Sequence, residues 1–310
     1  MKERNISTSS ERAASRKAGL NKAVVPYLFI IPCLLFLTTF LIYPIGNLFY
    51  FSFQNYNINA PYYNGFAGLA NFKKALMEDP LFFKSLGISL KWVFSQVALQ
   101  CVLGLMLALL LNQTFRFRGL FRSLAFVPWA ISGVITSLIW SVMFNEHMGL
   151  INDLFLKFGW IEQPVAWTAN LSTVFKAVVV AELWRGLPFF AITFLAALQA
   201  IPNELYEASR VDGANRLKMF YYVTLPYLKN AIVLTTLLRT AWEFNNVDLI
   251  FNMTGGGPAH ATTTLTMYVV ELAVKGGDFG YGSALTVISF FLLMLFSITY
   301  LCASRFGKES

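Results

Sequence analysis

The chain has 310 residues, of which 56% are hydrophobic and only 13% are charged. Soluble domains average about 25% charged residues, so this composition excludes an ordinary soluble protein and predicts an integral membrane protein. The net charge of +8 also fits a nucleic-acid-binding protein, but membrane topology explains the distribution of the basic residues better. Cys33, Cys101 and Cys302 each lie in an apolar run, which predicts buried thiols and no disulfide framework.

The apolar stretches predict six membrane-spanning helices. After a basic, polar tail over residues 1–22, residues 23–72 carry no charge. The first apolar run, about 25–53, exceeds the roughly 7–15 residues of a signal-peptide core, so we interpret it as an uncleaved span. The further predicted spans are about 86–111, 121–144, 173–199, 228–251 and 282–303.

The distribution of Lys and Arg predicts the orientation of these spans. Six spans place both termini on one side of the membrane, together with the connections 112–122 and 200–229. That side carries 15 basic residues, and the opposite loops carry five, namely Lys73, Lys74, Lys84, Lys157 and Lys275. Because Lys and Arg are enriched in cytoplasmic segments, both termini are predicted to be cytoplasmic.

A polar stretch over residues 207–226, EASRVDGANRLKMFYYVTLP, lies between two apolar runs. Its composition predicts two short helices rather than a simple turn. Asn203 is expected to cap the first helix, and Asp212 with Gly213 to end it. Pro226 is expected to end the second helix.

This stretch resembles the EAA signature of the membrane subunits of bacterial ATP-binding-cassette (ABC) importers. The signature is matched at Glu207, Ala208, Gly213, Leu225 and Pro226, with mild departures at Ser209 and Val223. In that family the loop is cytoplasmic and docks into an ATPase subunit, and the shared face of Leu205 and Ala208 suits such a groove. The resemblance implies an ATPase-coupling role for Glu207, Ala208, Asp212, Gly213, Leu225 and Pro226.

The sequence carries no recognisable catalytic machinery. The glycine-rich segment 255–258 lacks the Lys and Ser/Thr of a phosphate-binding P-loop, so any ATP and Mg²⁺ would be bound by a partner ATPase. The two histidines, His147 and His260, have no Cys, second His or carboxylate at metal-ligand spacing. We therefore expect no catalytic residue, metal site or cofactor in this chain.

Charged residues inside two predicted spans indicate a functional site. A charge near the bilayer centre costs at least about 2.5–3.5 kcal/mol, so it needs a partner or a water-filled cavity. One face of the fourth span carries Glu182, Arg185, Gly186 and Phe189. One face of the fifth span carries Arg239, Trp242, Glu243 and Asn246 at the same spacing. In one interpretation the charges form buried ion pairs, Arg185 with Glu243 or Arg239 with Glu182. In the other they line a cavity for a sugar, whose hydroxyls need many hydrogen-bond partners.

Residues from about 120 to 300 resemble the maltose-type sugar permease subunit. The shared motifs include LAFVPWAISGVI (124–135), LWRGLPFF (183–190) and WEFNNVDLIFNMTGGGPAHATTTL (242–265). The resemblance implies sugar contacts at Trp129, Glu182, Arg185, Gly186, Phe189, Glu243 and Asn246, and the helix-face pattern adds Arg239 and Trp242. Glu182 and Glu243 stand where that subunit has Asn, and Arg185 where it has an aliphatic residue. We therefore predict a glycan or glycoside other than maltose.

The combined prediction is an all-α integral membrane protein with the architecture of an ABC type I importer permease (MetI-like). Its segments are a cytoplasmic tail (1–22), a first helix with an outer loop (23–85), a core (86–304) containing the coupling loop 200–229, and a cytoplasmic tail (305–310). The chain would be one permease subunit of an importer for a di- or oligosaccharide or glycoside. It would lie in the cytoplasmic (inner) membrane of a bacterium or archaeon.

The resemblance also implies the partners of the chain. These are the lipid bilayer, a second permease subunit that is similar but different, two ATP-binding subunits and an extracytoplasmic solute-binding protein; nucleic acid is not expected. Two alternatives stay open. The importer could take a non-sugar solute such as a glycerol phosphoester, or the chain could be an ATP-independent secondary transporter or channel, which intramembrane charges fit equally well.

Overall fold

The computed structural model describes residues 27, 29–304 and 306, and most of these residues are helical. In chain order the helices are α1 (Phe29–Ser52), α2 (Ala70–Lys73), α3 (Pro80–Leu111), α4 (Arg118–Ala130), α5 (Gly133–Met143), α6 (Leu150–Lys157), α7 (Val174–Gln199), α8 (Asn203–Val211), α9 (Arg216–Met219), α10 (Leu225–Phe244), α11 (Asp248–Thr254), α12 (Leu265–Val270) and α13 (Phe279–Ser304). Two short antiparallel strands, β1 (Gln54–Asn55) and β2 (Gly65–Phe66), pair between α1 and α2. The helical fold class predicted from the sequence is confirmed.

Four of the described helices, α1, α3, α7 and α13, are long and apolar enough to cross a membrane. The predicted spans agree with α7 and α13 to within three residues at each end, whereas α3 begins six residues before its predicted start. It begins early because the Asp79 carboxylate caps it, accepting from the backbone N–H groups of Leu81 at 2.9 Å and Phe82 at 3.3 Å. Residues 25, 26 and 28 of the first predicted span lie outside the described residues.

The predicted third span, 121–144, is not one straight helix. It is the pair α4 and α5, which meet at an angle of 96° and make a fifth span if they cross together. Pro128 lies inside α4 and removes a backbone donor, and Ile131 is extended (φ −84°, ψ 135°). The Ser132 hydroxyl then caps α5 by accepting from the N–H of Ile135 at 3.3 Å. Hydropathy alone does not detect such a break, because every residue around it is apolar or small.

The predicted fifth span, 228–251, is also wrong as a continuous helix. It consists of α10 and α11, separated at residues 245–247. The Asn245 side chain turns back to donate to the carbonyl of Ala241 at 2.9 Å, and the Thr266 hydroxyl donates to the freed carbonyl of Phe244 at 2.8 Å. These bonds replace helical ones, so the interruption costs little in unsatisfied backbone groups.

Helix α3 lies at the centre of the described structure and packs along both α7 and α10. The close approach of α3 to α7 depends on Gly104, because a Cβ there would come within 2.5 Å of the Cβ of Phe190. One apolar cluster surrounds Trp92 and Leu249, and a second surrounds Phe194 near the polar connection after α7. The region between the two clusters is polar, and it contains the candidate site.

The three cysteines are free, so no disulfide forms among the described residues. The prediction that they are buried is wrong for Cys33 and Cys302, which are exposed on α1 and α13, while Cys101 is half-buried. An apolar run in a membrane helix can face lipid as well as protein, so an apolar sequence context does not imply burial inside the protein.

Candidate functional site

Four charged side chains from α7 and α10 form one buried network. Arg185 donates to Glu182 through Nε at 2.9 Å and Nη2 at 2.8 Å. Arg239 reaches across from α10, and its Nη2 lies 2.7 Å from Glu182 Oε1 and 2.6 Å from Glu243 Oε1. Both carboxylate side chains are 0% exposed. Each carboxylate therefore has a cationic partner, as a charge buried at this depth requires.

The geometry selects between the two ion pairs predicted from the sequence. The pair of Arg239 with Glu182 forms, and it links α10 to α7. Arg185 pairs with Glu182 on its own helix, three residues away, and not with Glu243. The Arg185 side chain is still 22% exposed, so it is the charged group of the network that faces open space.

Three polar side chains of α3 complete the network, and the sequence analysis missed them. Gln100 accepts from Nε of Arg239 at 2.8 Å and donates to Glu243 Oε1 at 3.1 Å. The indole N–H of Trp92 donates to Glu243 Oε2 at 3.1 Å, and Gln96 accepts from Gln100 at 2.9 Å. The signal was present in the sequence, since these three residues are spaced four apart and share one helix face inside an apolar run.

Gly186 provides the space in which the network is packed. A Cβ at this position would overlap Nη2 of Arg239 and would lie 2.5 Å from Nε2 of Gln100. Glycine is therefore required here by the close approach of side chains from two neighbouring helices. The predicted role of Gly186 as a site residue is compatible with this position.

A cavity of ≈ 340 Å³ opens beside the network. Its polar and aromatic lining consists of Arg185, Arg239, Trp242, Glu243, Asn245 and Asn246. Asn246 lies beyond the end of α10, at the interruption before α11, so the predicted continuation of the helix face to this residue is wrong. Its amide still turns towards Glu243, with Nδ2 3.5 Å from Oε2.

Three aromatic rings extend this cavity lining. The ring centroids of Phe189 and Trp242 are 4.9 Å apart, and those of Phe189 and Trp129 are 6.2 Å apart. Trp129 and Trp242 are each 48% exposed. Trp129, Phe189 and Trp242, predicted site residues from three separate helices, are thus neighbours, whereas the predicted site residue Glu182 is fully buried and does not line the cavity.

The arrangement offers hydrogen bonds and an aromatic surface rather than reactive groups. Within the described part of the chain, no three His, Cys, Asp or Glu side chains are grouped to hold a metal ion. A larger groove of ≈ 640 Å³ runs between α3, α10 and α13, but its lining is almost entirely aliphatic and aromatic. That groove offers few partners for a polar solute, so the smaller polar cavity is the candidate site.

The signature loop is built from α8, a glycine turn and α9. Helix α8 ends at Asp212 with the N–H of Gly213 bound to the carbonyl of Arg210 at 3.0 Å and that of Ala214 bound to Ser209 at 2.9 Å. Gly213 has φ of +75°. This pair of bonds around a left-handed residue is a Schellman motif, which explains why the signature needs Gly at this position. The prediction that Asp212 and Gly213 end the helix is confirmed.

Three other expectations for this loop are wrong. Asn203 is the first residue of α8 and makes no capping hydrogen bond; Pro202 precedes it in an extended conformation. Leu205 does not present itself to a partner, because it packs into the apolar cluster around Phe194, whereas Ala208 is exposed. Pro226 lies in the first turn of α10, directly after a π-helical turn, instead of ending a helix.

The loop is joined to α10 without a break in helical structure. A π-helical turn, Phe220–Thr224, connects α9 to α10. Tyr206 of α8 is hydrogen-bonded to Thr224 in this turn, with their hydroxyl oxygens 3.0 Å apart. Residues 216–244 therefore run helically from the signature loop past Glu243, and position 216 is about 40 Å from Glu243 at 1.5 Å per residue.

Sequence comparison with known proteins identifies the family of this chain. The family described as binding-protein-dependent transport system inner membrane component matches residues 100–306. The trehalose/maltose transport system permease protein MalF of Thermococcus litoralis is 34% identical, over 94% of this chain and 98% of its own length. The sulfoquinovosyl glycerol transport system permease protein SmoG of Agrobacterium fabrum is 33% identical, over 93% and 92%.

The fold has a counterpart among solved structures. A bacterial ABC transporter involved in the import of the acidic polysaccharide alginate contains a chain that superposes with a TM-score of 0.80 at 20% identity, covering 94% of this chain and 98% of that one. This likeness shows a shared fold alone, whereas the family match and the sequence relatives show common ancestry. The chain therefore belongs to the family of binding-protein-dependent transport system inner membrane components.

Proposed function

We propose that the chain is the permease subunit of an ATP-driven importer that carries a sugar across the cytoplasmic membrane of a bacterium or archaeon. The observation that carries the proposal is the polar and aromatic cavity between α7 and α10, connected helically to the signature loop. Two relatives, the trehalose/maltose permease MalF and the sulfoquinovosyl glycerol permease SmoG, support the solute class. A di- or oligosaccharide or glycoside suits the mixture of amides, charges and indole rings.

We further propose six spans with both termini in the cytoplasm. The spans would be α1, α3, the bent pair α4 and α5, α7, the interrupted pair α10 and α11, and α13. Helix α10 carries Lys229, Arg239 and Glu243, which lowers its hydropathy. Its charged end is covered by α3 and α7, so a place in the membrane is compatible with its burial.

The proposed assembly contains a second permease subunit, two ATP-binding subunits that bind ATP and Mg²⁺, and an extracytoplasmic solute-binding protein. The structural relative has been solved in complex with a periplasmic protein that holds an alginate pentasaccharide, which supports the last of these partners. The exposed residues Glu207, Ala208 and Asp212 would contact the ATPase at the signature loop.

The proposed coupling is mechanical. Closure of the ATPase dimer would move α8, whose Tyr206 is bonded to the π-helical turn below α10. Because residues 216–244 are helical throughout, displacement at the loop would be carried to Arg239 and Glu243 at the cavity. Rearrangement of the network shared with α7 would then open the cavity to the other side of the membrane.

Reconstitution tests the proposal. A thermal-shift screen of the binding protein first identifies its sugar. The complex of permease, ATPases and binding protein is then reconstituted in proteoliposomes, and it is expected to hydrolyse ATP faster when the binding protein carries that sugar. Solute uptake by this chain alone without ATP would instead establish the secondary-transporter alternative.

Isosteric substitution separates a substrate site from a purely structural ion cluster. Removing a buried carboxylate with Ala leaves a guanidinium unpaired at a cost of about 3–5 kcal/mol, so Glu182→Gln and Glu243→Gln are the informative variants. Both are expected to assemble with the partner subunits and to lose uptake at least about tenfold, because Glu243 lines the cavity and Glu182 binds Arg185 and Arg239, which also line it. Asp153→Asn, in an exposed pair with Lys157, is the control. Failure of both Gln variants to assemble would favour the structural interpretation.

A further inference from the structure

We propose that the cavity is selective for charge and takes an uncharged solute, rejecting sugars that carry a carboxylate, sulfonate or phosphate. This inference rests on the proposed function and deepens it. Proteins of this fold differ in the charge of their solute, since one takes part in the import of an acidic polysaccharide and another is a trehalose/maltose permease. The charge of the solute therefore has to be inferred from the residues of this chain.

The guanidinium groups at the cavity are already neutralised. Arg185 gives Nε and Nη2 to Glu182, and Arg239 shares Nη2 between Glu182 and Glu243. Two cations thus face two carboxylates, each within 3 Å of a partner. Because both guanidinium groups are already shared with carboxylates, an arriving anion would gain less from them than from unpaired cations and would lie close to those carboxylates.

A fifth charged group makes the surroundings of the cavity acidic. Asp248, in the first turn of α11, approaches α5 beside Arg185: a Cβ on Gly133 would lie 3.4 Å from the Cβ of Asp248 and 3.9 Å from Cζ of Arg185. The charged groups in and around this space are Arg185, Arg239 and Glu243 in the cavity lining, Glu182 bound to both arginines behind it, and Asp248 beside Arg185. Three are acids and two are bases, so an anionic solute meets net repulsion.

The remaining groups at the cavity suit hydroxyls. Asn245 and Asn246 offer amides that both donate and accept, and Arg185 has N–H groups beyond the two bound to Glu182. The rings of Trp242 and Phe189 provide an apolar surface of the kind on which a pyranose ring can pack. An uncharged sugar uses all of these groups without disturbing the ion pairs.

Thiol labelling measures the charge of the cavity directly. In the assembled, detergent-solubilised transporter, with Cys33→Ser, Cys101→Ala and Cys302→Ser, a single Asn246→Cys is reacted with a cationic and an anionic methanethiosulfonate of similar size. The ratio of the two rates is divided by the ratio at Tyr62→Cys, because Tyr62 is 99% exposed. We expect a normalised preference for the cationic reagent, and a preference for the anionic reagent would overturn the proposal.

Two charge variants show which groups set this preference. Asp248→Asn, at an exposed position, is expected to shift the ratio towards the anionic reagent by about threefold. Glu182→Gln is expected to shift it by about a hundredfold, because one charge at ~10 Å and an effective dielectric constant of about 20 changes the two labelling rates in opposite directions, each by roughly tenfold. No shift in either variant would contradict the assignment of the potential to these acids.

The labelling rates do not depend on transport, so an anion-selective cavity would refute the charge inference and leave sugar import standing. Absence of sugar-stimulated ATP hydrolysis would refute the proposed function alone.

Discussion

Gly186 shows how one missing side chain sets the geometry of the whole site. Replacement by Ala would place a methyl group where Nη2 of Arg239 and Nε2 of Gln100 now lie. The buried groups cannot move without losing their hydrogen bonds, so we expect a loss of about 1–3 kcal/mol of stability and loss of uptake. Gly87→Ala on α3, where a Cβ meets nothing within 4 Å, is the matched control. The melting temperature and the uptake rate are measured for both variants. Full uptake by Gly186→Ala would mean that the network can accommodate a methyl group without losing its function.

Gly213 is constrained by its backbone and not by space. Its φ is +75° and a Cβ there would meet nothing within 4 Å, so Gly213→Ala introduces only the strain of a left-handed residue, about 1–2 kcal/mol. Because the Schellman turn would relax, α8 would be displaced, and sugar-stimulated ATP hydrolysis is expected to fall while basal hydrolysis by the ATPases persists. Gly119→Ala, on α4 and equally open, should leave coupling intact. Normal stimulation in Gly213→Ala would argue against a role for this turn in coupling.

At the level of helices, the sequence predicts those features that depend on charge and hydropathy. Helix α13 appears as a long charge-free run and α7 as an apolar run interrupted by charges. The spacing of Glu182 with Arg185 and of Arg239 with Glu243 predicts the faces that meet. The interruption at Asn245 was missed because it depends on a distant side chain, that of Thr266. The break at Ile131 was missed because its causes, Pro128 and the Ser132 cap, are local and do not change the hydropathy.

The polar face of α3 was missed for a related reason. Trp92, Gln96 and Gln100 are uncharged, so they lower the hydropathy of the run too little to attract notice. Their importance lies in the contacts with Glu243 and Arg239, which belong to α10 and are close only in the folded chain. The sequence therefore predicts the charged half of the site, and the fold supplies the neutral half.

Asp79 joins three helices at the end of the molecule away from the signature loop. Its carboxylate caps α3 and accepts from the hydroxyls of Tyr268 on α12 at 2.7 Å and Tyr281 on α13 at 2.6 Å. Partial burial by itself would raise the pKa of Asp79, but the hydrogen bonds from Tyr281, Tyr268 and the backbone outweigh it and hold the pKa below its ordinary value. The ionised carboxylate thus stabilises the folded state.

The effect of Asp79→Asn on stability should consequently depend on pH. The contribution of a group with a lowered folded-state pKa is complete above its unfolded pKa, near 3.9, and is lost as the pH falls through the folded value. We expect Asp79→Asn to cost about 1–2 kcal/mol from pH 8 to pH 5, and the difference to shrink below about pH 4. Melting temperatures measured against pH test this, with Asp153→Asn as an exposed control. A difference that instead grows on acidification would exclude this role of the ionised group.

For the whole molecule, the orientation in the membrane is the property on which the proposed mechanism depends. In the proposed six-span topology, the hairpin at Tyr62 would face the outside, and the signature loop at Val211 would face the cytoplasm. The two positions are matched in accessibility, since Tyr62 is 99% and Val211 88% exposed. In cells whose native cysteines have been replaced, Tyr62→Cys should react with a membrane-impermeant maleimide at once, and Val211→Cys only after permeabilisation. An ATPase can bind the loop only from the cytoplasm. Labelling of Val211→Cys in intact cells would show that the loop lies outside, and it would contradict ATP-driven coupling through α8.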